Sequence, residues 1–241
     1  MNLLLVDEAE VLDGCVTVGG RRATHLRDVL GVAVGTRVRA GIVGGGIGTA
    51  EVLRDDGAIT LRLAITEPAS TPMPVEVILA VPRPKVLTRT IEAIASFGVD
   101  RITLTNAWRV DKSYLSSPRL EASALAEAAR LGAEQGVTTH APRILVYRRL
   151  MELLDTRFAS PGDDLRLLAH PAGEPLEHVI RHDEPTTLAI GPEGGWIQRE
   201  VDTFIARGFT PITLGVPILR VETAVAAALG QLVLLRRITE R

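Results

Sequence analysis

The sequence predicts an α/β protein in which a small β-rich domain precedes a larger domain built on a parallel sheet. In the first half, polar and apolar positions alternate in "TRVRAGIVGGGIGTAEVL" and "GAITLRLAIT", which is typical of half-buried strands. From Val75 onward, short apolar runs alternate with helical segments, as in parallel sheets with crossover helices. The stretch "EPASTPMP", residues 67–74, has three prolines among small polar residues and is the best linker candidate. We therefore expect one domain over residues 1–70 and a second over residues 74–241.

The first domain is expected to be a small β-barrel or a related β-rich module. Its one candidate helix, "RRATHLRDVLG", stops at Gly31. The cluster "GGGIG", Gly44–Gly48, superficially resembles a dinucleotide-binding loop. The strand-like run "TAEVL" follows it, so no helix N-terminus is available there for a phosphate. A hairpin turn is therefore the predicted structure.

The second domain is predicted to contain six strands and several helices. The strands correspond to the apolar runs "VEVILAV", "DRITLT", "RILVY", "LRLLA", "TTLAI" and "FTPITL". The segment "KVLTRTIEAIASFG" predicts a helix with Leu87, Ile91 and Ile94 on one face. A second helix is predicted with Ser117 as its N-cap, Pro118 in its first position and Gly136 at its end.

The last predicted helix, Val221 to Leu235, is apolar nearly all round. It has larger apolar residues on one side and alanines on another: Val225, Leu229, Leu232 and Val233, and Ala224, Ala227 and Ala228. Such a helix needs cover on more than one face. We therefore expect a homodimer.

Composition limits the class of protein and its partners. The 241 residues include 46% apolar and 23% charged residues, which is ordinary for a globular protein. Lys and Arg number 27 against 29 Asp and Glu, so any nucleic acid must be held by a local basic patch. The start of the chain does not resemble a signal peptide, and no apolar segment reaches the ~20 residues of a membrane span. A single cysteine, Cys15, suits the reducing cytoplasm, so we expect a cytoplasmic protein without membrane or metal.

Three turns follow predicted strands at Ala169, Ile190 and Leu214, and ligands of parallel sheets sit at such carboxyl ends. The turn "GPEGG" lacks the Lys-Ser/Thr of a phosphate loop and the three-glycine spacing of a dinucleotide fold. No cationic side chain stands next to this turn in the sequence, so the turn lacks the positive charge that would bind a polyphosphate. Bare backbone groups suit the edge of an adenine ring and ribose hydroxyls instead.

The third turn, "LGVPILRVETAVAAAL", leads into the apolar last helix. Ile218 and Leu219 offer an apolar wall. Arg220, Glu222 and Thr223 are polar groups at the start of the helix. Glu222 and Thr223 are open to a second interpretation, since the helix dipole favours such residues in a first turn.

Together these motifs resemble the SPOUT class of S-adenosylmethionine-dependent RNA methyltransferases, and within it the family that methylates N3 of a uridine in bacterial 16S ribosomal RNA. The segment "IGPEGGWIQREVD" matches that family's Ile-Gly-Pro-Glu-Gly-Gly signature. The segment "LGVPILRVETA" matches its Leu-Gly-x-x-Ile-Leu-Arg-x-Glu-Thr-Ala signature at the right spacing. Weaker matches, "LLAHPAGE", "AEQG", "FGVDRI" and "HLRDVL", extend the resemblance over essentially the whole chain.

The resemblance implies a fold and an assembly. The second domain would be a parallel sheet whose last segments form a deep trefoil knot, roughly residues 165–235. Sequence physics alone would not suggest this, because knots are almost absent from proteins. The first domain would be a PUA-like barrel that grips RNA, and a homodimer would bind 16S ribosomal RNA, or the small subunit, across both copies.

The resemblance also implies the site. S-adenosyl-L-methionine would be bound by residues of the three turns, and RNA by basic residues of both domains. The implied cofactor residues are His170, Ile190, Gly191, Pro192, Glu193, Gly194, Gly195, Leu214, Gly215, Val216, Ile218, Leu219 and Thr223. The candidate RNA residues are Arg21, Arg22, His25, Arg27, Arg83 and Lys85. The candidate catalytic residues are Arg220 and Glu222.

Methylation at uracil N3 suggests a role for Arg220 and for Glu222. Uracil N3 carries a proton and becomes a good nucleophile only when that proton leaves and negative charge spreads onto O2 and O4. Arg220 is a candidate for binding a phosphate or a carbonyl, because its planar fork suits either. Glu222 is a candidate base, or it orients Arg220, or it only stabilises the helix start.

Three departures from the family pattern keep other functions open. No arginine precedes Arg21, Gly31 stands where an arginine is usual, and "GVTTHAP" offers His140 in place of another. These positions face RNA in the family, so a methyltransferase acting on a different RNA, or a non-catalytic RNA-binding protein that kept the fold, remains an alternative. A nucleotide-binding oxidoreductase is disfavoured by the failed dinucleotide spacing.

Overall fold

The computed structural model describes residues 2–160, 162–180 and 184–239. The chain forms two β-sheets, one after the other in sequence. The first five strands form one sheet, and the next six form another.

The N-terminal sheet has the strand order β1-β3-β4-β5-β2. Its elements are β1 (Leu4–Val6), β2 (Cys15–Val18), α1 (Gly20–Asp28), β3 (Arg37–Ile42), β4 (Gly46–Asp55) and β5 (Ile59–Ala69). Neighbours are antiparallel except β1 and β3. The glycine cluster lies at the turn between β3 and β4, which confirms the predicted hairpin. Leu26 of α1 packs on the apolar core of this sheet.

The C-terminal sheet has the order β11-β9-β10-β6-β7-β8, and all neighbouring strands are parallel. Its strands are β6 (Met73–Ala80), β7 (Val99–Thr105), β8 (Arg143–Tyr147), β9 (Leu165–Pro175), β10 (Thr186–Ile190) and β11 (Thr210–Thr213). The helices are α2 (Pro84–Ser96), α3 (Ala122–Gly136), α4 (Leu150–Arg157), α5 (Leu176–Val179), α6 (Gln198–Ala206) and α7 (Val221–Thr239). The predicted α/β class, with a parallel sheet, is confirmed.

The core confirms the predicted faces of the helices with one exception. Leu87, Ile91 and Ile94 of α2 are buried against the sheet. Of the four larger apolar residues predicted on one side of α7, Val225, Leu229 and Leu232 are buried, whereas Val233 is 39% exposed. The helix therefore keeps part of its apolar surface outside the core of this chain.

Three predicted boundaries differ from the structure. Pro118–Leu120 forms a separate 3₁₀ turn capped by the Ser117 side chain, and α3 begins only at Ala122. The α7 helix continues to Thr239, beyond the expected end at Leu235. The linker candidate shrinks to residues 70–72, because β5 and β6 extend into it from both sides.

That short connection is also held in place by hydrogen bonds. The Ser70 backbone N–H donates to Thr139 Oγ1, and the Thr139 N–H donates to Ser70 Oγ, both at 3.0 Å. The N-terminal half contacts α3 again where the N–H groups of Asn2 and Leu3 donate to the carbonyl of Glu134, at 3.3 and 3.1 Å. The N-terminal sheet is therefore fastened to α3 and to the loop after it.

Among residues 2–160, 162–180 and 184–239, no helix is long and apolar enough to cross a membrane. Within the same ranges, no group of three or more His, Cys, Asp or Glu side chains is placed to hold a metal ion.

Candidate functional site

A cavity of about 320 Å³ opens at the carboxyl edge of the C-terminal sheet. The turns that follow β10 and β11 form its walls together with an excursion from β9. Its lining residues are Arg109, Ala169, His170, Pro171, Ile190, Gly191, Pro192, Glu193, Gly194, Gly195, Trp196, Ile212, Thr213, Leu214, Gly215, Val216, Pro217, Ile218, Leu219, Val221 and Ala224. We call it the strand-end cavity. Parallel packing of the strands brings two turns and a segment of β9, which are distant in sequence, to one place.

His170 reaches this cavity because β9 leaves the sheet there. Pro211 of β11 pairs with Leu168, but the next residue, Ile212, pairs with Glu174. The five residues between these partners, 169–173, therefore bulge away from β11. His170 Nδ1 accepts a hydrogen bond from the N–H of Ala172 at 3.2 Å, which stabilises the bulge.

The turn after β10 needs its glycines for two different reasons. A Cβ on Gly191 would lie 3.2 Å from Nε1 of Trp196, so the indole can pack directly on the backbone. Gly195 has a φ of +69°, in the left-handed region that disfavours residues with a Cβ. Space is not the constraint at Gly195, since a Cβ there would meet nothing within 4 Å.

Glu193, the acidic residue in this turn, is hydrogen-bonded to the loop after β6. Glu193 Oε1 accepts a hydrogen bond at 3.0 Å from the backbone N–H of Arg83, which lies in the loop after β6. The Arg83 side chain lies 3.9 Å away from the same oxygen. Glu193 therefore lines the cavity and also ties the turn to the loop of the adjacent strand.

Trp196 is a cavity residue that the sequence interpretation missed. Its ring is 6% exposed and packs edge-on against Phe204, with centroids 5.0 Å apart. Phe204 packs in turn on Phe209 at 4.9 Å, which fixes the indole from behind. The indole Nε1 is buried and has no hydrogen-bond partner in the part of the chain that the structure describes.

Arg109 corrects the expectation that no cation stands near the glycine turn. It lies in the loop after β7, and its Nη1 donates to the carbonyl of Gly194. Glu200 Oε1 holds the same loop by accepting the N–H of Trp108 at 2.8 Å. This contact could not be predicted from the sequence, because Arg109 and Gly194 are 85 residues apart and only the fold brings them together.

The turn after β11 supplies an open wall. Gly215 has a φ of +128°, which only glycine adopts readily. Gln231 of α7 donates from Nε2 to the carbonyl of Leu214 at 3.2 Å and so supports the turn from below. Val216 and Ile218 are 100% and 88% exposed, so their apolar side chains are free to cover a ligand.

The polar residues at the start of α7 do not line the strand-end cavity. Val221 and Ala224 line it, whereas Arg220, Glu222 and Thr223 do not. A helix turns by about 100° per residue, so positions three apart share a face and the residues between them point elsewhere. Thr223 is exposed on another side of the helix, and the geometry gives no support to its expected cofactor role.

Arg220 and Glu222 flank the cavity instead of lining it. Arg220 is exposed and Glu222 half-buried. The Arg220 carbonyl accepts the N–H of Ala224 at 2.7 Å, which places Arg220 just before the first turn of α7. Across the described residues, neither side chain forms an ion pair or hydrogen bond, so both are available to a molecule bound beside the cavity.

Two of the candidate RNA residues are engaged in ion pairs within the N-terminal half. Arg22 donates to both carboxylate oxygens of Glu10, and this contact lowers the pKa of Glu10 to about 2. Arg27 forms a forked contact with Asp55, whose pKa it lowers. Both guanidinium groups therefore hold elements of the N-terminal half together.

The other four candidates fall into two groups. Arg21 contacts Glu127 at 2.9 Å and lies with His25 beside α3. Arg83 and Lys85 are exposed in and just after the loop that follows β6, near Glu193 of the strand-end cavity. The structure thus brings Arg83 and Lys85 close to the cavity and places Arg21 and His25 elsewhere.

A parallel sheet with an apolar, glycine-walled cavity at its carboxyl edge defines the class of α/β proteins that bind a small ligand at strand ends. The particular family follows from comparison with known sequences. The chain belongs to the family described as RNA methyltransferase domain, whose model matches residues 69–233. The match confirms the resemblance to the SPOUT class of RNA methyltransferases.

Individual relatives agree with the family. The chain is 27% identical over 236 residues to ribosomal RNA small subunit methyltransferase E of Treponema pallidum, a match covering 95% of this chain and 89% of that protein. It is 26% identical to ribosomal RNA small subunit methyltransferase E 1 of Borreliella burgdorferi, with 95% of each chain covered.

Solved structures share the fold over nearly the whole chain. A ribosomal RNA small subunit methyltransferase E from Neisseria gonorrhoeae, bound to S-adenosyl methionine, matches with a TM-score of 0.79, 24% identity and 98% of each chain covered. A probable rRNA-methyltransferase from Porphyromonas gingivalis matches with a TM-score of 0.76, 22% identity and 99% of each chain covered.

Proposed function

We propose that this protein methylates N3 of a specific uridine in 16S ribosomal RNA of the small subunit, with S-adenosylmethionine as methyl donor. The observation that carries the proposal is the convergence of the turns after β10 and β11 and of the β9 bulge on one cavity of about 320 Å³. Family membership and the names of the relatives support methyl transfer to ribosomal RNA. The uridine and its N3 atom follow from the sequence resemblance alone.

The residues of the strand-end cavity fit S-adenosylmethionine. The apolar side chains of Ile190, Leu214 and Leu219 suit the faces of an adenine ring. Backbone groups of the glycine turns, which line the cavity, suit the adenine edge and the ribose hydroxyls. Bound there, the cofactor supplies an electrophilic methyl group.

The chain's own residues then have to position uracil and remove its N3 proton. Arg220, exposed at the start of α7, is placed to bind a phosphate or a uracil carbonyl, where it would stabilise charge developing on the base. Glu222, in the first turn of α7, is the candidate acceptor of the N3 proton. We therefore expect backbone groups to bind the cofactor, and the side chains of Arg220 and Glu222 to act on the uracil.

The proposal includes an architecture and an assembly. Residues 1–70 would form a PUA-like RNA-binding barrel and residues 74–241 the methyltransferase domain, with a trefoil knot over roughly residues 165–235. The five-stranded N-terminal sheet and the bulge of β9 against β11 are compatible with these assignments. Two copies would form the active unit, and no metal is required by this chemistry.

The decisive experiment is mass spectrometry of 16S ribosomal RNA from a strain that lacks this protein. One uridine should lose its N3-methyl group, and the wild-type copy should restore it. A variant carrying Arg220→Ala is the matched control for catalysis, because its cavity lining is unchanged. Unmodified uridine in both strains, with another methylated base lost, would point to a different RNA position. No lost methylation at all would favour the non-catalytic alternative.

A further inference from the structure

Trp108, in the loop after β7, is exposed to solvent. The residue is 79% exposed, whereas the nearby Ala107 and Val110 are 5% and 7% exposed and belong to the core of the larger half. Tryptophan is highly buried on average, because its large apolar surface is costly to leave in water. Trp108 therefore contributes little to the core of this chain, and its ring is accessible to a partner.

The loop that carries Trp108 is held beside the strand-end cavity. Glu200, at the start of α6, accepts the Trp108 N–H on Oε1 at 2.8 Å and the Ile197 N–H on Oε2 at 3.0 Å. The next residue, Arg109, lines the cavity and donates from its side chain to the carbonyl of Gly194. Because the backbone is fixed in this way, a partner that binds the indole does not have to order the loop first.

Positive charge is available in the same region. The chain has only two lysines, Lys85 and Lys112, and both are exposed just after the adjacent strands β6 and β7. Neither lysine forms an ion pair within residues 2–160, 162–180 and 184–239. The carboxylates of this region all accept backbone N–H groups, and they belong to Asp111, Glu193 and Glu200. The lysines therefore remain free to bind an anionic partner.

A flat apolar ring next to free cations fits single-stranded RNA. Every base has a π-face that stacks on an aromatic side chain, and the phosphates on either side of the base attract cations. The centre of a protein interface would instead be depleted of charge, but Arg109, Asp111 and Lys112 follow Trp108 closely. We propose that Trp108 stacks on an unpaired base of the substrate RNA, an inference that rests on the proposed function. Trp108 does not line the strand-end cavity, so this base is a different one from the methylated uridine.

Methylation of small ribosomal subunits tests this contact. The subunits come from a strain that lacks the protein, and transfer from radiolabelled S-adenosylmethionine is followed at increasing subunit concentration. Loss of one base stack weakens binding roughly 5- to 150-fold, so Trp108→Ala should raise KM for the subunits by that factor. The value of kcat should change little, because the stack is present both before and in the transition state.

Two further substitutions separate stacking from simple apolar contact. Trp108→Phe keeps a planar ring and should retain a KM close to that of the wild type. Trp108→Leu is apolar without a flat face and should resemble Trp108→Ala. The matched control is Ile205→Ala, which removes a side chain that is 48% exposed near the end of α6 and should leave KM unchanged.

Tryptophan fluorescence reports the stack without turnover. The chain has two tryptophans, and Trp196 is buried, so Trp108 is the exposed emitter. A short oligouridylate, added without cofactor, should quench the emission of the wild-type protein. The same RNA should leave the emission of Trp108→Leu protein nearly unchanged.

An unchanged KM in Trp108→Ala, or equal KM values in Trp108→Phe and Trp108→Leu, would overturn the inference. A Trp108→Ala protein that is monomeric in light scattering, where the wild type is dimeric, would overturn it too, because the ring would then cover a second copy of the chain. Wild-type protein that methylates no subunits contradicts the proposed function itself. Quenching by oligouridylate would in that case still support the contact between Trp108 and a base.

Discussion

Gly195 carries a backbone angle that other residues resist, with φ at +69° in the wall of the strand-end cavity. Gly195→Ala should strain the turn by ~1–2 kcal/mol. If the turn shifts to relieve that strain, affinity for S-adenosylmethionine should fall roughly tenfold, measured by calorimetry. The matched control is Gly57→Ala, whose φ of +104° lies in the β4–β5 hairpin far from the cavity. That variant should lose stability and keep cofactor affinity, and equal affinity in both variants would contradict a cofactor role for this turn.

Arg220 and Glu222 should affect turnover much more than cofactor binding, because neither lines the strand-end cavity. Arg220→Ala removes one charge-assisted contact of ~1.5–3 kcal/mol, so the methyl-transfer step should slow roughly 10- to 150-fold. An interaction made mainly in the transition state lowers kcat without raising KM. Steady-state kinetics with RNA and calorimetry with the cofactor distinguish the two effects.

Glu222→Gln completes that prediction by testing the base with nearly the same shape. A general base contributes typically about 10²–10⁴-fold, so the variant should be slow and lose the pH dependence of the wild-type rate. A residue that only stabilises the start of α7 would leave the rate almost unchanged from about pH 6 to about pH 9. In that case the N3 proton leaves by another route.

Glu10 makes stability depend on acid. Its hydrogen bond from Arg22 is the main cause that lowers its pKa from 4.5 to about 2. A carboxylate with a lowered folded pKa stabilises the fold fully above its unfolded pKa, and this contribution disappears as pH falls through the folded value. Glu10→Gln should therefore reduce the free energy of unfolding near neutral pH, by on the order of 1 kcal/mol or less given solvent screening. The difference should shrink from about pH 4.5 to about pH 2 in urea titrations. Glu8→Gln, which changes another carboxylate of the same 3₁₀ turn, is the matched control.

At the scale of elements, helices α2 and α3 approach closely because of two glycines one turn apart. A Cβ on Gly132 would lie 2.2 Å from the carbonyl of Glu92, and one on Gly136 would lie 2.1 Å from that of Ser96. Gly132→Ala should therefore push the helices apart and destabilise the protein by ~1–3 kcal/mol, although alanine is the better helix former. Ser123→Ala, exposed on the same helix, should be neutral or slightly stabilising. Thermal unfolding compares the two, and an unchanged Gly132→Ala midpoint would show that the contact gives way without loss.

For the whole molecule, the exposed side of α7 supports the proposed homodimer. Val233, Leu234 and Ile238 are 39%, 44% and 56% exposed and form an apolar strip on the last turns. Light scattering should give twice the mass of one chain at micromolar concentration. Leu234→Glu should produce a monomer, because a buried unpaired charge is strongly disfavoured at an interface. Met151→Glu, a similar change on α4, should leave the mass unchanged, and a monomeric wild type would contradict the proposal.

Local sequence patterns predict the strands, the buried face of α2, the parallel sheet and the turns after Ile190 and Leu214. Each of these depends on local periodicity or on glycine and proline at strand ends, which short-range sterics and burial dictate. The predicted turn after Ala169 is instead a bulge within β9, which continues to Pro175. The start of α3 was predicted less accurately from the sequence. The favourable residues Ser117 and Pro118 nucleate only a 3₁₀ turn before the helix begins at Ala122.

Which side chains meet depends on the tertiary structure. Arg109 donates to the Gly194 carbonyl, and Glu193 accepts the backbone N–H of Arg83, across 85 and 110 residues of chain. Arg22 pairs with Glu10 at the shorter separation of 12 residues. The packing of α7 also leaves Thr223 outside the lining of the strand-end cavity. Periodicity assigns a residue to a face of its own element, but the partner across that face depends on how strands and helices are ordered in space.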